Sequence, residues 1–397
     1  MKERKIGVKG KRTISKKPRK IKNKSYKDSK IGLHCHCEEN VQALVELLEK
    51  ALQENVKYIA ITNHKSLKIY TQILEKLPLD MIKRYNEIQL IPGIEMAACV
   101  PFKDLNGKEY KIEIHILGYG LDISKEKILD KFVREKYRDL DQESELKRLI
   151  QIGHELGLDF KDEDAYIDVE DGNHRFAGRA FMQAVMKNME ANFNKKDEAN
   201  PKKLPFELRS NWGAFYNRCV KDVNGPFYLD IAFLNPTSEE VISLIHQLGG
   251  KAYLAHPSGY FAKNGTEEQI KMSYDNTVEF TRQFIERHSG KEKTNCKIDG
   301  IEMYHPSYLK DIYLFGKMKN LIKLYRLRTS GGTDIHVGSI KTFQGSVSND
   351  SRGEKLTIRK LKKFDFLRRK AESLYELRHK AKSLNGMNRD GMNRDER

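Results

Sequence analysis

The sequence predicts an α/β fold in which mainly parallel strands alternate with helices around a closed or nearly closed barrel of seven strands. Two observations predict it. Short apolar runs alternate with amphipathic runs along much of the chain, and residues able to bind a metal follow the ends of those apolar runs. Such alternation is typical of parallel strands covered by helices, and barrels of this kind carry their chemistry at the carboxyl ends of the strands.

The strands are predicted from short apolar runs, and the helices from apolar residues that recur on one face, as in residues 40–54. Asn106-Gly107 predicts a hairpin turn before the fourth strand. Gly249-Gly250 predicts the end of the helix before the fifth strand. The predicted strands are 31–36, 57–62, 87–91, 110–117, 251–255, 298–303 and 326–330, and the main helices are 40–54, 66–77, 236–248, 267–288 and 307–322.

Residues 123–235 interrupt this alternation, so the barrel is predicted to comprise residues 31–122 and 236–350. Helical runs over 125–157 and 177–192 predict an inserted helical subdomain. Insertions of this kind commonly form lids and select substrates. We therefore expect the insertion to lie over one mouth of the barrel.

The basic charge of the chain lies at its two ends. The formal net charge is +17, of which residues 1–30 carry +12 and residues 352–397 carry +8, so that the body carries −3. We predict that residues 1–30 form a disordered basic tail, and that residues 351–397 form a basic helix. A duplicated Gly-Met-Asn-Arg-Asp follows it and predicts an unstructured end. A slightly acidic body is better suited to bind cations than to form a groove for nucleic acid. The basic ends could still contact nucleic acid.

Cysteine usage and hydropathy bear on the location of the protein. The chain has five cysteines and no Cys-x-x-Cys, which argues against a disulfide framework and favours a reducing compartment. No apolar run approaches the roughly 20 residues of a membrane span, and the N-terminus lacks the apolar stretch of a secretory signal. We therefore expect a cytoplasmic protein with no membrane partner.

A set of imidazoles and carboxylates predicts a metal centre. Alternate residues share one face of a strand, so His34 and His36 point to the same side, away from Cys35 and Cys37. We place both cysteines on the face of Ile31 and Leu33, which disfavours the alternative of thiolate ligands. Mixed imidazoles and carboxylates suit zinc, manganese or iron, and nine ligands are too many for one tetrahedral ion. The nine candidates are His34, His36, Glu39, His64, Glu95, His115, His256, Asp334 and His336.

Seven short motifs, in order, resemble those of the PHP (polymerase and histidinol phosphatase) superfamily. They cover about residues 31–340 and read H-C-H, T-N-H, P-G-I-E, H-I-L-G-Y-G-L-D, A-H-P, G-I-E-M-Y-H-P and G-G-T-D-I-H. Gly178-Arg179-Ala180-Phe181 in the insertion is similar to a stretch of the nucleoside 3′,5′-bisphosphate phosphatase and 5′–3′ exonuclease branch. The resemblance implies a distorted (β/α)7 barrel that holds up to three metals.

The resemblance also implies how the ligands divide. His34, His36, Glu95 and Asp334 would hold one metal; Glu95, His115 and His256 a second; and His64, His336 and an acid from the loop after His36 a third. For that acid we choose Glu39, with Glu38 in reserve, because this chain lacks the Ser-Asp-Gly of the family. The chain also has Gly32 and Asn63 where the family usually has aspartates, and losing such carboxylates should weaken ligand orientation.

By this resemblance we expect a metal-dependent phosphoesterase that uses two or three divalent transition metals and hydrolyses nucleotide-like phosphate esters through metal-bound hydroxide. Arg179, and less directly Arg134 and Arg138, are predicted to bind the substrate phosphate. His305 is predicted to donate a proton or to support a ligand. The alternatives are a 5′–3′ exonuclease on short RNA or DNA, a catalytically idle metal-bound scaffold that binds nucleic acid through its tails, and, ranked lower, a histidinol phosphatase.

Overall fold

The structure is a computed structural model that describes most of the chain. The described residues are 29–137, 142–170, 177–196, 200, 203–208, 215, 219, 225–227, 232–261, 267–289, 296–305, 312–336, 361 and 364–395. The predicted disordered tail therefore lies outside the described residues, apart from its last two positions.

The described strands form two five-stranded sheets. They are β1 (Lys30–His36), β2 (Val56–Ile61), β3 (Gln89–Leu90), β4 (Gly93–Lys103), β5 (Glu109–Tyr119), β6 (Lys251–Leu254), β7 (Gly300–Tyr304), β8 (Arg328–Gly331), β9 (Ile335–His336) and β10 (Glu372–Ser373). The first sheet has the order β10-β3-β2-β1-β9, and the second has the order β4-β5-β6-β7-β8.

Helices follow most of the predicted segments. They are α1 (Val41–Gln53), the π-helical turn Ile69–Ile73, α2 (Leu74–Lys76), α3 (Leu79–Arg84), α4 (Glu126–Lys136), α5 (Gln142–Glu155), α6 (Asp162–Glu170), α7 (Ala177–Lys187), α8 (Met189–Asn192), α9 (Ser238–Gln247), α10 (Glu267–Arg287), α11 (Ile312–Leu324), α12 (Asp365–Lys370) and α13 (Leu374–Asp395). Short 3-10 turns occupy Ile123–Lys125, Phe206–Leu208, Ala232–Leu234 and Pro257–Gly259. None of these helices is both long enough and apolar enough to cross a membrane.

The mixed α/β fold is confirmed, and the hairpin predicted at Asn106-Gly107 is present as the antiparallel pair β4 and β5. β4 was not among the seven predicted strands, and β5 is antiparallel to both β4 and β6. Five of the eight strand pairs among the described residues are parallel, in line with the prediction of mainly parallel strands. The hairpin turns at Gly107, whose φ is 86°. A short hairpin can join only antiparallel strands, because a parallel connection requires a long crossover.

The two sheets meet where β3 leads into β4. β3 pairs with β2, whereas β4 pairs with β5 in the second sheet. Pro92 lies between them, has no N–H to donate, and so favours a break in the ladder. Gly93 follows it, and a Cβ there would lie 2.9 Å from Cγ2 of Thr62 on the chain after β2. The sheets therefore approach closely here, while a closed seven-stranded barrel stays a prediction.

A bulge in β1 corrects our assignment of its faces. Ile31 pairs with Tyr58, but Cys35 pairs with Ile61, so β1 contains one residue more than β2 between these pairs. An extra residue reverses the face of the residues that follow it. Ile31 and Leu33 consequently pack with Tyr58 in one apolar cluster, while Cys35 and Cys37 belong to another cluster, which also contains the buried residues of α1. The cysteines do point away from the imidazoles, but they do not share a face with Ile31 and Leu33.

The insertion contains its own apolar cluster in the described residues. Phe181 on α7 lies at its centre, with Phe160 and Phe227 at ring-centroid distances of 5.4 and 5.0 Å. The cluster draws its buried members from residues 146–227 alone. That arrangement is in line with a helical subdomain, although the domain boundaries stay predictions.

The duplicated segment near the C-terminus is helical, which contradicts the predicted unstructured end through Asp395. The helix is anchored before the duplication: Nδ2 of Asn385 donates to the Thr71 carbonyl at 3.0 Å and to Glu75 at 2.8 Å. Leu374 and Leu377 pack into the main core. Once these contacts have fixed the first turns, extending the helix adds one hydrogen bond for each residue ordered.

Candidate metal centre

β1 carries His34 and His36 to a buried site where β4 and the chain after β8 also arrive. The two imidazoles are 1% and 4% exposed as residues, and Glu95 near the start of β4 is 1% exposed. Asp334 follows β8, and its side chain is 32% exposed. Four residues that are up to 300 positions apart in the chain therefore meet at one point, which the strand-end pattern predicts.

The ligand atoms of these four residues are spaced as an ion would space them. Nε2 of His34 lies 3.3 Å from Glu95 Oε2, 3.5 Å from Asp334 Oδ1 and 3.3 Å from His36 Nε2. Nε2 of His36 lies 3.1 Å from Glu95 Oε2 and 3.1 Å from Asp334 Oδ1. Ligands bound at about 2.1 Å to a tetrahedral ion lie about 3.4 Å apart. The donor set and its spacing therefore fit a divalent transition metal.

Glu95 also belongs to a second group. Its Oε1 lies 2.9 Å from Nδ1 of His115 on β5 and 3.3 Å from Nε2 of His256 after β6. The ligand atoms of these three residues all lie within 4.8 Å of one another. Because one carboxylate oxygen faces each group, Glu95 could bridge two ions.

Glu302 on β7 is a site residue that the sequence analysis missed. It is fully buried, and its two oxygens lie 3.1 and 3.2 Å from Nδ1 of His34. The same carboxylate accepts the backbone N–H of His256 at 2.9 Å. Carboxylates behind a ligating imidazole hold its ring and its tautomer. In the neutral imidazole, Glu302 thus favours the tautomer with its proton on Nδ1, and Nε2 can then bind a metal.

The charges in the site strongly influence one another. Burial opposes the charged form of His34, but the surrounding carboxylates, Glu302 first, outweigh it and raise the pKa of the imidazole well above its ordinary value. Burial likewise opposes ionisation of Glu95, but His34 and His115 lower the pKa of this carboxyl well below its usual range. Buried carboxylates of this kind require positive charge, which either protons or a metal can supply.

Unusual backbone conformations concentrate at the site. Among the described residues, five that are not glycine have a positive φ, and three of them lie here: Lys65 (56°), His256 (21°) and Asp334 (49°). Such conformations are strained for most side chains and persist where the surroundings fix them. The strain therefore supports a functional role for this region.

The structure places the remaining predicted ligands less tightly. Nδ1 of His64 lies 3.4 Å from Glu95 Oε2, outside the two groups. Glu39 accepts a hydrogen bond from Ser66 and lies 3.9 Å from Nζ of Lys68. The backbone of His336 pairs with His36, while its side chain lies outside the described residues. A third metal position stays a prediction.

The structure describes only part of the predicted set of substrate and acid–base residues. The His305 ring centroid lies 5.4 Å from that of His256 and 6.4 Å from that of His34. Arg134 is exposed on α4. Arg138 and the side chain of Arg179 lie outside the described residues.

Asn63, where the resemblance leads us to expect an aspartate, supports the end of β1. Its Oδ1 accepts the Cys37 N–H at 2.9 Å, and its Nδ2 donates to the Cys37 carbonyl at 2.7 Å. A carboxylate could make only the first of these bonds. The asparagine therefore fixes the loop after His36 in a way that an aspartate would not.

Replacing Glu302 with glutamine is expected to weaken metal binding by about 10- to 100-fold, as loss of such supporting carboxylates does. Glutamine has nearly the same volume, but it has only one oxygen for the two donors and no charge to hold the His34 tautomer. Metal titration followed by isothermal calorimetry measures the effect. The control is Asp299→Asn, just before the same strand, where the carboxylate contacts His246 and Lys251 rather than the cluster. Equal metal affinities of wild type and Glu302→Gln would contradict the prediction.

Comparisons with solved structures show a likeness in fold. An amidohydrolase from Chromobacterium violaceum, with bound sulfate and no metal, matches with 17% identity over 87% of this chain and 98% of its own, at a TM-score of 0.53. A Bifidobacterium adolescentis protein, provisionally described as a metal-dependent phosphoesterase, matches with 18% identity over 83% of this chain and 92% of its own, at a TM-score of 0.47. No protein-family model matches the sequence, and no curated protein matches it either.

Proposed function

We propose that the chain is a metal-dependent hydrolase of the PHP type that cleaves phosphate esters of nucleotide-like substrates. On this proposal the two sheets belong to a distorted (β/α)7 barrel, and the helical insertion covers its mouth. The observation that carries the proposal is the spacing of four ligand atoms from His34, His36, Glu95 and Asp334, at 3.1–3.5 Å for the five measured pairs. The order of the seven motifs supports the same family.

The residues of the chain have distinct tasks in this reaction. Divalent manganese, zinc or iron would supply a water of lowered pKa and a positive charge against the phosphoryl oxygens. Glu95 fixes the spacing between the two ligand groups, because both of its oxygens are engaged. Glu302 holds the ring of His34, and Tyr260 joins β5 to the chain after β6. Its hydroxyl accepts the His115 N–H at 3.0 Å and donates to the Ala255 carbonyl at 2.7 Å.

His305 is our candidate for proton transfer, and its surroundings set a condition on that role. Burial lowers the pKa of its imidazole to about 3, against the opposing effect of Glu302. The ring is therefore neutral near pH 7, and it can donate a proton only after the negative charge of a phosphate raises its pKa. Arg179, Arg134 and Arg138 stay candidate phosphate-binding residues.

Elemental analysis combined with a hydrolysis assay tests the proposal. We expect more than one equivalent of transition metal in the native protein, together with release of phosphate from a nucleoside bisphosphate. His34→Ala and Asp334→Ala each remove a ligand of the first group only. We therefore expect them to lose hydrolysis but to retain the metal bound by Glu95, His115 and His256. Native protein that binds no transition metal, or that hydrolyses no phosphate ester with any of the three metals, would refute the proposal.

The second candidate is a 5′–3′ exonuclease with the same metal groups. The net charges of +12 on residues 1–30 and +8 on residues 352–397 favour it, since basic segments attract phosphate backbones. A short oligonucleotide with a 5′-phosphate, assayed beside the nucleoside bisphosphate, separates the two candidates. Tight nucleic-acid binding without hydrolysis would instead favour an idle scaffold that uses its tails.

A further inference from the structure

Lys65 carries a cation on a turn that borders the candidate metal centre, since Nδ1 of the preceding His64 lies 3.4 Å from Glu95 Oε2. It follows His64 directly, and its backbone N–H donates to the Glu95 carbonyl at 3.0 Å. On the other side, the N–H of Glu95 donates to the Asn63 carbonyl at 3.1 Å. The turn that carries Lys65 is thereby joined to the residue shared by both ligand groups.

The Lys65 side chain is half-buried and lies over an aromatic ring. Its Nζ is 4.7 Å from the ring centroid of Tyr137. The Tyr137 hydroxyl donates to the carbonyl of Ala97 at 2.5 Å, and Ala97 pairs with His115 across β4 and β5. These contacts hold the ammonium beside the outer edge of β4.

The ammonium has no ionic partner among the residues that the structure describes: no carboxylate oxygen of theirs lies within 4 Å of Nζ. The carboxylate that acts on it through space is Glu113, whose Oε2 accepts from Asn235 at 2.9 Å and whose Oε1 lies 3.6 Å from His115 Nε2. A partly desolvated cation of this kind gains from an anion that arrives with the substrate.

The backbone at Lys65 is strained, which a surface lysine would not require. Its φ of 56° lies in the left-handed region, where glycine and asparagine are tolerated better than lysine. The contacts between this turn and Glu95 therefore hold Lys65 in a conformation that few lysines adopt.

We propose that Lys65 binds a phosphoryl oxygen of the substrate beside the two ligand groups. The inference rests on the proposed phosphoesterase function, because it assumes a phosphate substrate. Lys65 lies outside the predicted ligand set. On this proposal it makes the electrostatic contact with the substrate phosphate that the sequence predicted for arginines. The substrate class that Lys65 selects is a phosphomonoester whose phosphate reaches the rim between His64 and His115.

Binding of inorganic phosphate to the manganese-loaded protein, measured by calorimetry, tests this inference without turnover. Lys65→Asn removes the charge and suits the left-handed backbone, so the fold should be as stable as in wild type or more stable. We expect its Kd for phosphate to rise about 10- to 100-fold, the loss of one hydrogen bond to a charged group. Manganese content should stay unchanged, KM for a phosphate ester should rise in parallel, and Lys65→Arg should restore most of the affinity.

The matched control is Lys108→Asn at the hairpin tip. Nζ of Lys108 lies 4.9 Å from the Tyr110 ring centroid, so this variant loses the same charge and the same kind of aromatic contact away from the cluster. Its phosphate affinity should equal that of wild type. Unchanged phosphate affinity in Lys65→Asn, loss of manganese from that variant, or no phosphate binding by wild type would each overturn the inference. If wild type binds phosphate through Lys65 but hydrolyses no ester, the proposed function fails and the Lys65 site stands.

Discussion

Glu95→Gln is expected to remove metal from both ligand groups at once and to abolish hydrolysis. Glutamine keeps the size of the side chain but loses the charge that five imidazole contacts share, from His34, His36, His64, His115 and His256. Losing a carboxylate that only supports a ligand costs about 10- to 100-fold. The loss of a carboxylate that could itself contact two ions should exceed that range. Elemental analysis and metal titration measure it directly.

Glu126→Gln is the appropriate control for Glu95→Gln. Glu126 is a part-buried carboxylate that accepts from Thr71 Oγ1 at 2.7 Å, outside both ligand groups. This control variant should keep its metal and its activity.

The comparison with His34→Ala is also informative, since that change removes a ligand of the first group only. Similar metal loss in Glu95→Gln and His34→Ala would count against a bridging role for Glu95.

The sequence predicts the site better than it predicts the sheets. Glu95, His256 and Asp334 follow apolar runs, whereas His34 and His115 lie within strands, and the fold brings all five residues to one place. Strand ends are readable because apolar residues give way to polar ones there. The assignment of these residues as ligands rests on the geometry and on the family resemblance together.

Other features depend on contacts that no local pattern encodes. Glu302 lies inside an apolar strand. Only its contact with His34 distinguishes it from a buried acid that has all its hydrogen bonds but no role in a site. The bulge in β1 does not disturb the alternation of apolar and polar residues in the sequence. Simple alternation therefore places Cys35 on the face of Ile31 and Leu33, whereas the bulge puts it on the opposite face. From the sequence, Lys65 is indistinguishable from an ordinary loop lysine. Its positive φ and its contact with Tyr137 are visible only in the structure. Each of these features is a tertiary effect, and tertiary packing overrides local preference.

The closest backbone approach at the site yields the second large prediction, Gly332→Ala. A Cβ on Gly332 would lie 2.4 Å from the backbone nitrogen of His34 and 2.6 Å from its Cβ. Backbone atoms cannot rotate away as a flexible side chain can, so the chain after β8 must move from β1. Overpacking of this kind costs typically about 1–3 kcal/mol, occasionally more. We therefore expect a lower melting temperature together with reduced metal content, because His34 and Asp334 both lie next to the contact that the added methyl group would push apart.

Gly316→Ala on α11 is the matched control for Gly332→Ala. No heavy atom lies within 4 Å of a Cβ built there, so the added methyl group meets open space. Alanine in a helix interior is favoured over glycine by about 0.5–1 kcal/mol, and this variant should melt at the same temperature or higher, with full metal content. The same methyl group is thus expected to stabilise one position and to disrupt the other. A Gly332→Ala protein with the stability and metal content of wild type would mean that β1 and the chain after β8 are not in contact, and the first ligand group could not form as described.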